Sequence, residues 1–241
     1  VLAPLGRGAF GEVYRVKHKY LDKLQVLKLL DENYVERSAI ETIMAEAKNL
    51  ARVAHPNVVR FYDVNSFEKD GRKFFYLTME HVPGETLSQR WDRQSPLPLA
   101  LAVDLMKDIL AGLKAVHDSG LLHRDINGDN ILLGYKPGGD EVIAKVADFG
   151  LSHLADPVSG TGMAAGRYLW WAQECFHGAY LPASDVFSTG MVFYRMVTGV
   201  LPWRHQESSA RYVSVEDLEM EIVAARKEAP PPPSHWSEKC D

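Results

Sequence analysis

"LLHRDINGDNILL", residues 121–133, decides how this chain is to be read. It sets an acid, Asp125, and an amide, Asn130, on either side of a short loop that ends in an apolar run. A second acid, Asp148, opens the tripeptide "DFG" directly after the strand-like run "VIAKVA". An Asp that can accept a proton, with an Asn and an Asp that offer oxygen, suits a hard cation such as Mg²⁺ held beside phosphate oxygens. Taken singly, each of these residues has a plainer explanation, because Asp and Asn commonly cap turns. Position 127, inside the loop, is Asn.

Toward the N-terminus the chain is strand-rich. "VLAPL" and "GEVYRVKH" flank a glycine turn and alternate apolar with polar residues, as hairpin strands do. "KLQVLKLL" predicts a third strand, and "VVRFYDVNSF" and "RKFFYLTME" two more around the turn "EKDG". Between them "SAIETIMAEAKNLARV" carries Ile40, Ile43, Met44, Ala47 and Leu50 on one helical face, with Ser38 and Glu41 spaced as a capping box. The glycine turn reads "GRGAFGEV", with Gly6, Gly8 and Gly11. Gly-x-Gly-x-x-Gly also marks dinucleotide folds, but there the glycines lead into a helix, and here they lead into a strand. Such a loop lets backbone N–H groups approach an anion, although an ordinary glycine hairpin would look the same. Lys28 lies inside the apolar run "VLKLL". A buried lysine is costly unless paired, and Glu46 on the striped helix is the natural partner; otherwise the stem snorkels to water.

After "HVPGETL" the character changes. "LALAVDLMKDILAGLKAVHDSG" predicts a long helix with a glycine stop. "SDVFSTGMVFYRMVTG" is apolar on nearly every face, which predicts a central buried helix, and "VEDLEMEIVAARKE" a more polar one. "PPPP" at 230–233 reads as an extended connector. The expected fold is therefore α+β in two lobes, a sheet-rich part at 1–82 and a helix-rich part at 83–241. With 24% charged residues and a net charge of −5, no nucleic-acid or membrane partner is advertised. Two cysteines, Cys175 and Cys240, have no metal-ligand spacing and make a disulfide framework implausible, which fits a reducing, cytoplasmic setting. There is no signal peptide and no apolar run of about 18 residues.

In order and context these motifs resemble the eukaryotic-like protein kinase family from Gly6 to about Trp203. The resemblance implies a cleft for ATP and Mg²⁺. Gly6, Gly8, Gly11 and Val13 would cover the phosphates, Val26 would roof the adenine, and Leu5 and Leu132 would also line the nucleotide site. Lys28 matches the family's strand lysine and Glu46 its helix partner. "HPNVV" at 55–59 matches the turn into strand four. Met79 matches the gatekeeper, Glu80, His81 and Val82 the adenine-binding hinge, and Thr86 a ribose contact. Asp125 matches the catalytic Asp, Asn130 and Asp148 the metal ligands, and Asp185 the acid that anchors the catalytic loop. "AQE" at 172–174 stands where the family has Ala-Pro-Glu, so Gln173 replaces proline.

The departures matter as much. Val26 stands where alanine is usual, which implies a tighter adenine roof. Asn127 stands where serine/threonine kinases carry a lysine, and Arg167 in "GRYLWWAQE" where they carry the threonine that packs against that lysine and the catalytic Asp. Two members of one contacting pair have changed together. Either Arg167 restores the displaced charge, a role its phosphate-matching fork suits, or it points to solvent. Trp170 is a tyrosine-kinase feature, but neither Asn127 nor Asp129 is basic, so Ser/Thr is the expected acceptor. Arg124 is the expected receptor for a phosphate on Ser159 or Thr161, placed there by an upstream kinase or by autophosphorylation. The family's further helices are expected beyond residue 241, and with them an arginine for Glu174. The function implied is transfer of the ATP γ-phosphoryl group to a protein hydroxyl. The alternatives are a nucleotide-binding pseudokinase acting as scaffold or allosteric partner, and, more distantly, a small-molecule kinase.

Overall fold

The computed structural model describes residues 1–8, 11–30, 49–136, 138–148, 165–203 and 215–236. The N-terminal residues form a five-stranded antiparallel sheet in the order β1-β2-β3-β5-β4. Its strands are β1 (Ala3–Gly8), β2 (Gly11–Lys17), β3 (Leu24–Leu30), β4 (Phe61–Lys69) and β5 (Arg72–Glu80). The β4–β5 turn falls on Asp70 and Gly71, with φ of 53° and 73°. An Asp-Gly pair at two positive φ values makes the two-residue turn whose twist matches its strands. Lys28 faces Val13 on one neighbour and Leu77 on the other, and Val26 lies between Arg15 and Met79. Alternation puts Val26, Lys28 and Leu30 on one face of β3, so the lysine is buried with its apolar neighbours rather than snorkelling. The predicted helix at 38–53 falls mostly on residues outside those described, and so does Glu46.

The fourth strand begins later than the sequence pattern predicts. Asn57 and Val59 pair instead with Val146: Val59 N donates to Val146 O at 2.9 Å and Val146 N to Asn57 O at 2.9 Å. Asn57 Nδ2 adds a bond to Ala144 O at 2.9 Å. Apolar alternation runs through Val58 and Val59, but Val59 N is claimed by a different sheet and Val58 N turns back to His55 O at 3.1 Å.

That second sheet is three-stranded: β6 (Glu85–Thr86), β7 (Ile131–Tyr135) and β8 (Val142–Val146). Around it stand α1 (Leu87–Arg93), α2 (Leu99–Asp118), α3 (Ala165–Tyr168), α4 (Pro182–Thr198) and α5 (Val215–Ala225). Ala102, Leu105, Ile109, Gly112, Leu113 and Val116 form the buried stripe of α2 at the expected three- and four-residue spacing. Gly112 permits a close approach, since a Cβ there would lie 2.3 Å from Asn57 O. Gly120, at φ 78°, follows α2 where the sequence places a glycine stop, and Gly199, at φ 82°, ends α4 in the same way. The main core joins the sheet to the helices through Leu30, Leu77, Met79, Leu105, Ile109 and Ile131. Truncating any one of these to Ala typically costs about 2–5 kcal/mol. Among the described residues no helix is long and apolar enough to cross a membrane.

Candidate active site

Asp185, near the start of α4, organises the loop at 121–130. Its buried carboxylate takes His123 N at 2.8 Å and Arg124 N at 2.8 Å, and contacts His117 Nε2 at 2.8 Å. Arg124 is thereby held at φ 67°, which is uncommon for a side-chain-bearing residue. Its guanidinium lies 5.8 Å from the Tyr180 ring centre.

Asp125, 5% exposed, is gripped from three directions. Asn127 Nδ2 donates to Oδ1 at 3.1 Å, Asn130 Nδ2 to Oδ2 at 2.8 Å, and Arg167 Nη2 to Oδ2 at 2.5 Å. A carboxylate offers about four acceptor positions, so one on Oδ1 is left. Burial, the largest influence, raises the Asp125 pKa; Arg167, His123 and the Asn130 bond pull it down without prevailing. Asn127 is turned into the loop, with its Oδ1 accepting from Asp129 N at 2.9 Å. Of the two directions the sequence left open for Arg167, the structure takes the one toward Asp125.

The second acid, Asp148, is reached by Lys28 Nζ at 3.0 Å. Burial pushes the Asp148 carboxyl up, but Lys28 first, then His123 and Arg167, outweigh it and hold the group below its usual range. The Lys28–Glu46 pairing lies outside the described residues, as do Ser159 and Thr161.

His123 ties the two acids together. Its Nε2 lies 2.9 Å from Ala147 O, and its Nδ1 accepts from Asp125 N at 3.2 Å. A carbonyl can only accept and an amide N–H only donate, so the ring is neutral with its proton on Nε2. Burial, the largest influence, lowers its pKa from 6.5 although Asp185, Asp125 and Asp148 oppose it. The unfolded chain therefore takes up a proton that the folded chain refuses. The stabilisation is complete above about pH 6.5 and is lost as pH falls toward the depressed folded value. The thermal midpoint should fall on acidification below about pH 6.5. The slope should be shallower in His123→Gln, which keeps an amide donor for Ala147 O; His81, lowered first by burial and then by Arg15, contributes in the same sense, and the raised Asp125 carboxyl in the opposite one. An unchanged slope would remove His123 from the account.

The remaining expected positions fall as follows. Met79 is buried, and Val26, Val82 and Leu132 pack half-buried against the same core. Glu80 turns its side chain away from them, to Lys145 Nζ at 2.9 Å and to Arg60 N at 3.1 Å. Its own N–H goes to Arg60 O at 2.8 Å. That side chain instead borders a cleft of about 410 Å³ lined also by Lys23, His55, Arg60 and Lys145, with none of Lys28, Asp125, Asn130 or Asp148. Thr86, expected to meet a ribose, is the N-cap of α1: its Oγ1 accepts from Gln89 N at 3.1 Å, which leaves the hydroxyl proton and one lone pair. Leu5 is half exposed, and Gly8 pairs with Gly11 at the mouth of the β1–β2 hairpin. Glu174 accepts from Ser184 Oγ at 2.5 Å.

Arg226 escaped the sequence reading. From the end of α5 its guanidinium donates to Leu169 O at 2.9 Å and to Trp171 O, fastening the segment beyond α3. Burial lowers its pKa to about 10. Its place in the polar helix "VEDLEMEIVAARKE" looks like an exposed terminus, and no local pattern reveals carbonyls more than fifty residues away.

Against known proteins, the protein kinase domain profile matches residues 1–241. The serine/threonine-protein kinase pkn3 of Myxococcus xanthus is 30% identical over 97% of this chain and 42% of its own length. The serine/threonine-protein kinase pkn2 of the same organism is 33% identical over 84% of the chain and 24% of its length. The serine/threonine-protein kinase PknL of Mycobacterium tuberculosis is 32% identical over 93% of the chain and 55% of its length. The chain thus spans between 24 and 55% of these curated relatives.

Proposed function

The chain belongs to the protein kinase family, and from that premise we propose that it transfers the γ-phosphoryl group of ATP to serine or threonine hydroxyls of a protein substrate. The observation that carries this reading is the Asp125 carboxylate, buried, held by Asn127, Asn130 and Arg167, and left with one acceptor position. In this reading Asp125 orients the substrate hydroxyl and takes its proton, while Arg167 brings positive charge to the reacting phosphoryl group. Lys28 and the glycine turn hold the phosphates. Val26, Met79, Val82 and Leu132 enclose the adenine between residues 1–82 and 83–241, read as two lobes, with the Glu80 carbonyl and Val82 at the hinge.

Mg²⁺ fits the donor set. Asn130 spends its amide nitrogen on Asp125, and its amide oxygen has no protein partner among the described residues. Asp148 is held ionised beside Lys28. Among the described residues no cluster of three or more His, Cys, Asp or Glu could chelate an ion. The ion would thus rest on Asn130 and Asp148 and on substrate phosphates, where it supplies charge neutralisation. The relatives' names support a serine/threonine kinase over a scaffold. The chemistry and the sparse cysteines fit the cytoplasm, with an upstream kinase or autophosphorylation at Ser159 or Thr161 as a further partner.

The test is phosphoryl transfer by the full-length protein to a mixed peptide library, with Mg²⁺ titrated and the products read by mass spectrometry. Phosphoserine and phosphothreonine should appear, and the same spectra read Ser159 and Thr161. Asp148→Asn should lower turnover ~10²–10³-fold. Transfer that is independent of Mg²⁺, or unchanged in Asp148→Asn, would overturn the metal assignment; absence of any transfer would overturn the kinase reading.

A further inference from the structure

Gly128 sits in the 3-10 turn of Gly128–Asn130, between the two amides that hold Asp125. Its φ is not in the left-handed region, so the backbone does not ask for glycine there. The surroundings do. A Cβ at this position would lie 2.3 Å from Trp91 Cζ3, 2.8 Å from Trp91 Cη2 and 2.6 Å from Ser88 Oγ. Carbon atoms in contact normally stand ~3.5–4.0 Å apart. A serine hydroxyl can rotate aside, but the indole cannot. Trp91 is 5% exposed. It is stacked on Trp170 with ring centres 5.9 Å apart and planes 8° from parallel. The Arg195 guanidinium lies 4.7 Å from the Trp91 ring centre and 6.0 Å from that of Trp170.

We propose that Trp91 is a positioning residue for phosphoryl transfer. Its indole is the platform on which Gly128 seats the catalytic-loop turn, and the absence of a side chain at 128 lets that turn come close enough for Asn127 and Asn130 to hold the Asp125 carboxylate. The linkage is short. Asn130 N donates to Asn127 O at 3.2 Å, and Asn127 Oδ1 accepts from Asp129 N, so the turn moves as one piece. Lifting it off the ring displaces both amides at once, and with them the carboxylate. Trp170 carries the same plane to the segment following α3, whose Leu169 and Trp171 carbonyls Arg226 holds. The inference rests on the reading of Asp125 as proton acceptor.

Four forms of the full-length protein test it: the parent, Gly128→Ala, Trp91→Phe and the double variant. Gly128→Ala should lower kcat ~10²-fold, the scale of a misplacement of about 1 Å, with KM for ATP little changed. Trp91→Phe removes the far edge of the indole and keeps an aromatic face for Trp170 and Arg195. In the double variant the methyl group introduced at position 128 occupies the space released, and most of kcat should return. Amide hydrogen exchange of the peptide spanning 121–133 gives a readout independent of activity: faster in Gly128→Ala, restored in the double variant. If Gly128→Ala does not fold, Trp91→Ala, which removes the platform, should show the same loss of kcat and the same faster exchange. Parent-like kcat and exchange in Gly128→Ala, or losses that simply multiply in the double variant, overturn the proposal. A parent that transfers no phosphate sinks the kinase reading instead, and the exchange pattern then decides the platform by itself.

Discussion

Phosphoryl transfer by the full-length protein is expected to fall at least ~10²–10³-fold when Lys28 is replaced by Met. The lysine is 3% exposed, in a strand whose neighbours at that level are Val13 and Leu77. A charge in such a place is tolerated only when paired, because desolvating an ion costs several kcal/mol. Its ammonium meets Asp148 at 3.0 Å, and it is the strongest influence holding the Asp148 carboxylate ionised against burial. Methionine keeps most of the volume and apolar contact of the stem and removes only the charge. On the proposed reading the substitution strikes twice: no cation would face the phosphates, and Asp148 would lose the partner that keeps it in the form suited to a metal. Turnover at saturating ATP, measured beside the thermal midpoint, separates this from loss of fold. Undiminished turnover would remove Lys28 from the site.

The second large effect concerns the exchange of charge between positions 127 and 167. Arg167→Ala should lower turnover ~10²–10³-fold, the usual consequence of removing one preorganised charge-stabilising group. Arg167 already meets Asp125, and Asn127 is occupied between Asp125 and Asp129 N. Asn127→Lys alone should therefore not help, since it breaks those bonds and crowds two cations into one space. Asn127→Lys with Arg167→Thr removes the crowding and returns one cation to the loop, and should recover much of the activity lost in Arg167→Ala. The comparison is a double-mutant cycle on turnover with ATP saturating. Additive effects would mean that Arg167 does not replace the missing lysine. A silent Arg167→Ala would mean that Asn127 is tolerated without replacement.

What could be read from the sequence by itself was everything that repeats locally or stands at a fixed offset. Alternation and the Asp-Gly turn placed β5 at its observed ends, and a long helical run with a glycine stop placed α2. The order of Lys28, Asp125, Asn130 and Asp148 named the family, because their spacing along the chain survives whatever the chain does in space. Tertiary structure decided what each of those residues touches. Alternation marked Lys28 as lying among apolar residues but could not say that Asp148, far along the chain, would reach it. Val58 and Val59 continued a strand pattern and yet joined the other sheet, since a period of two records which face is buried and not which backbone it pairs with. Arg167 could point to water or to Asp125, and Gly128 could be any loop glycine until Trp91 came to lie against it. Direction and fit of this kind arise only when elements remote in sequence pack at van der Waals distance, where a single methyl group decides whether two of them can touch.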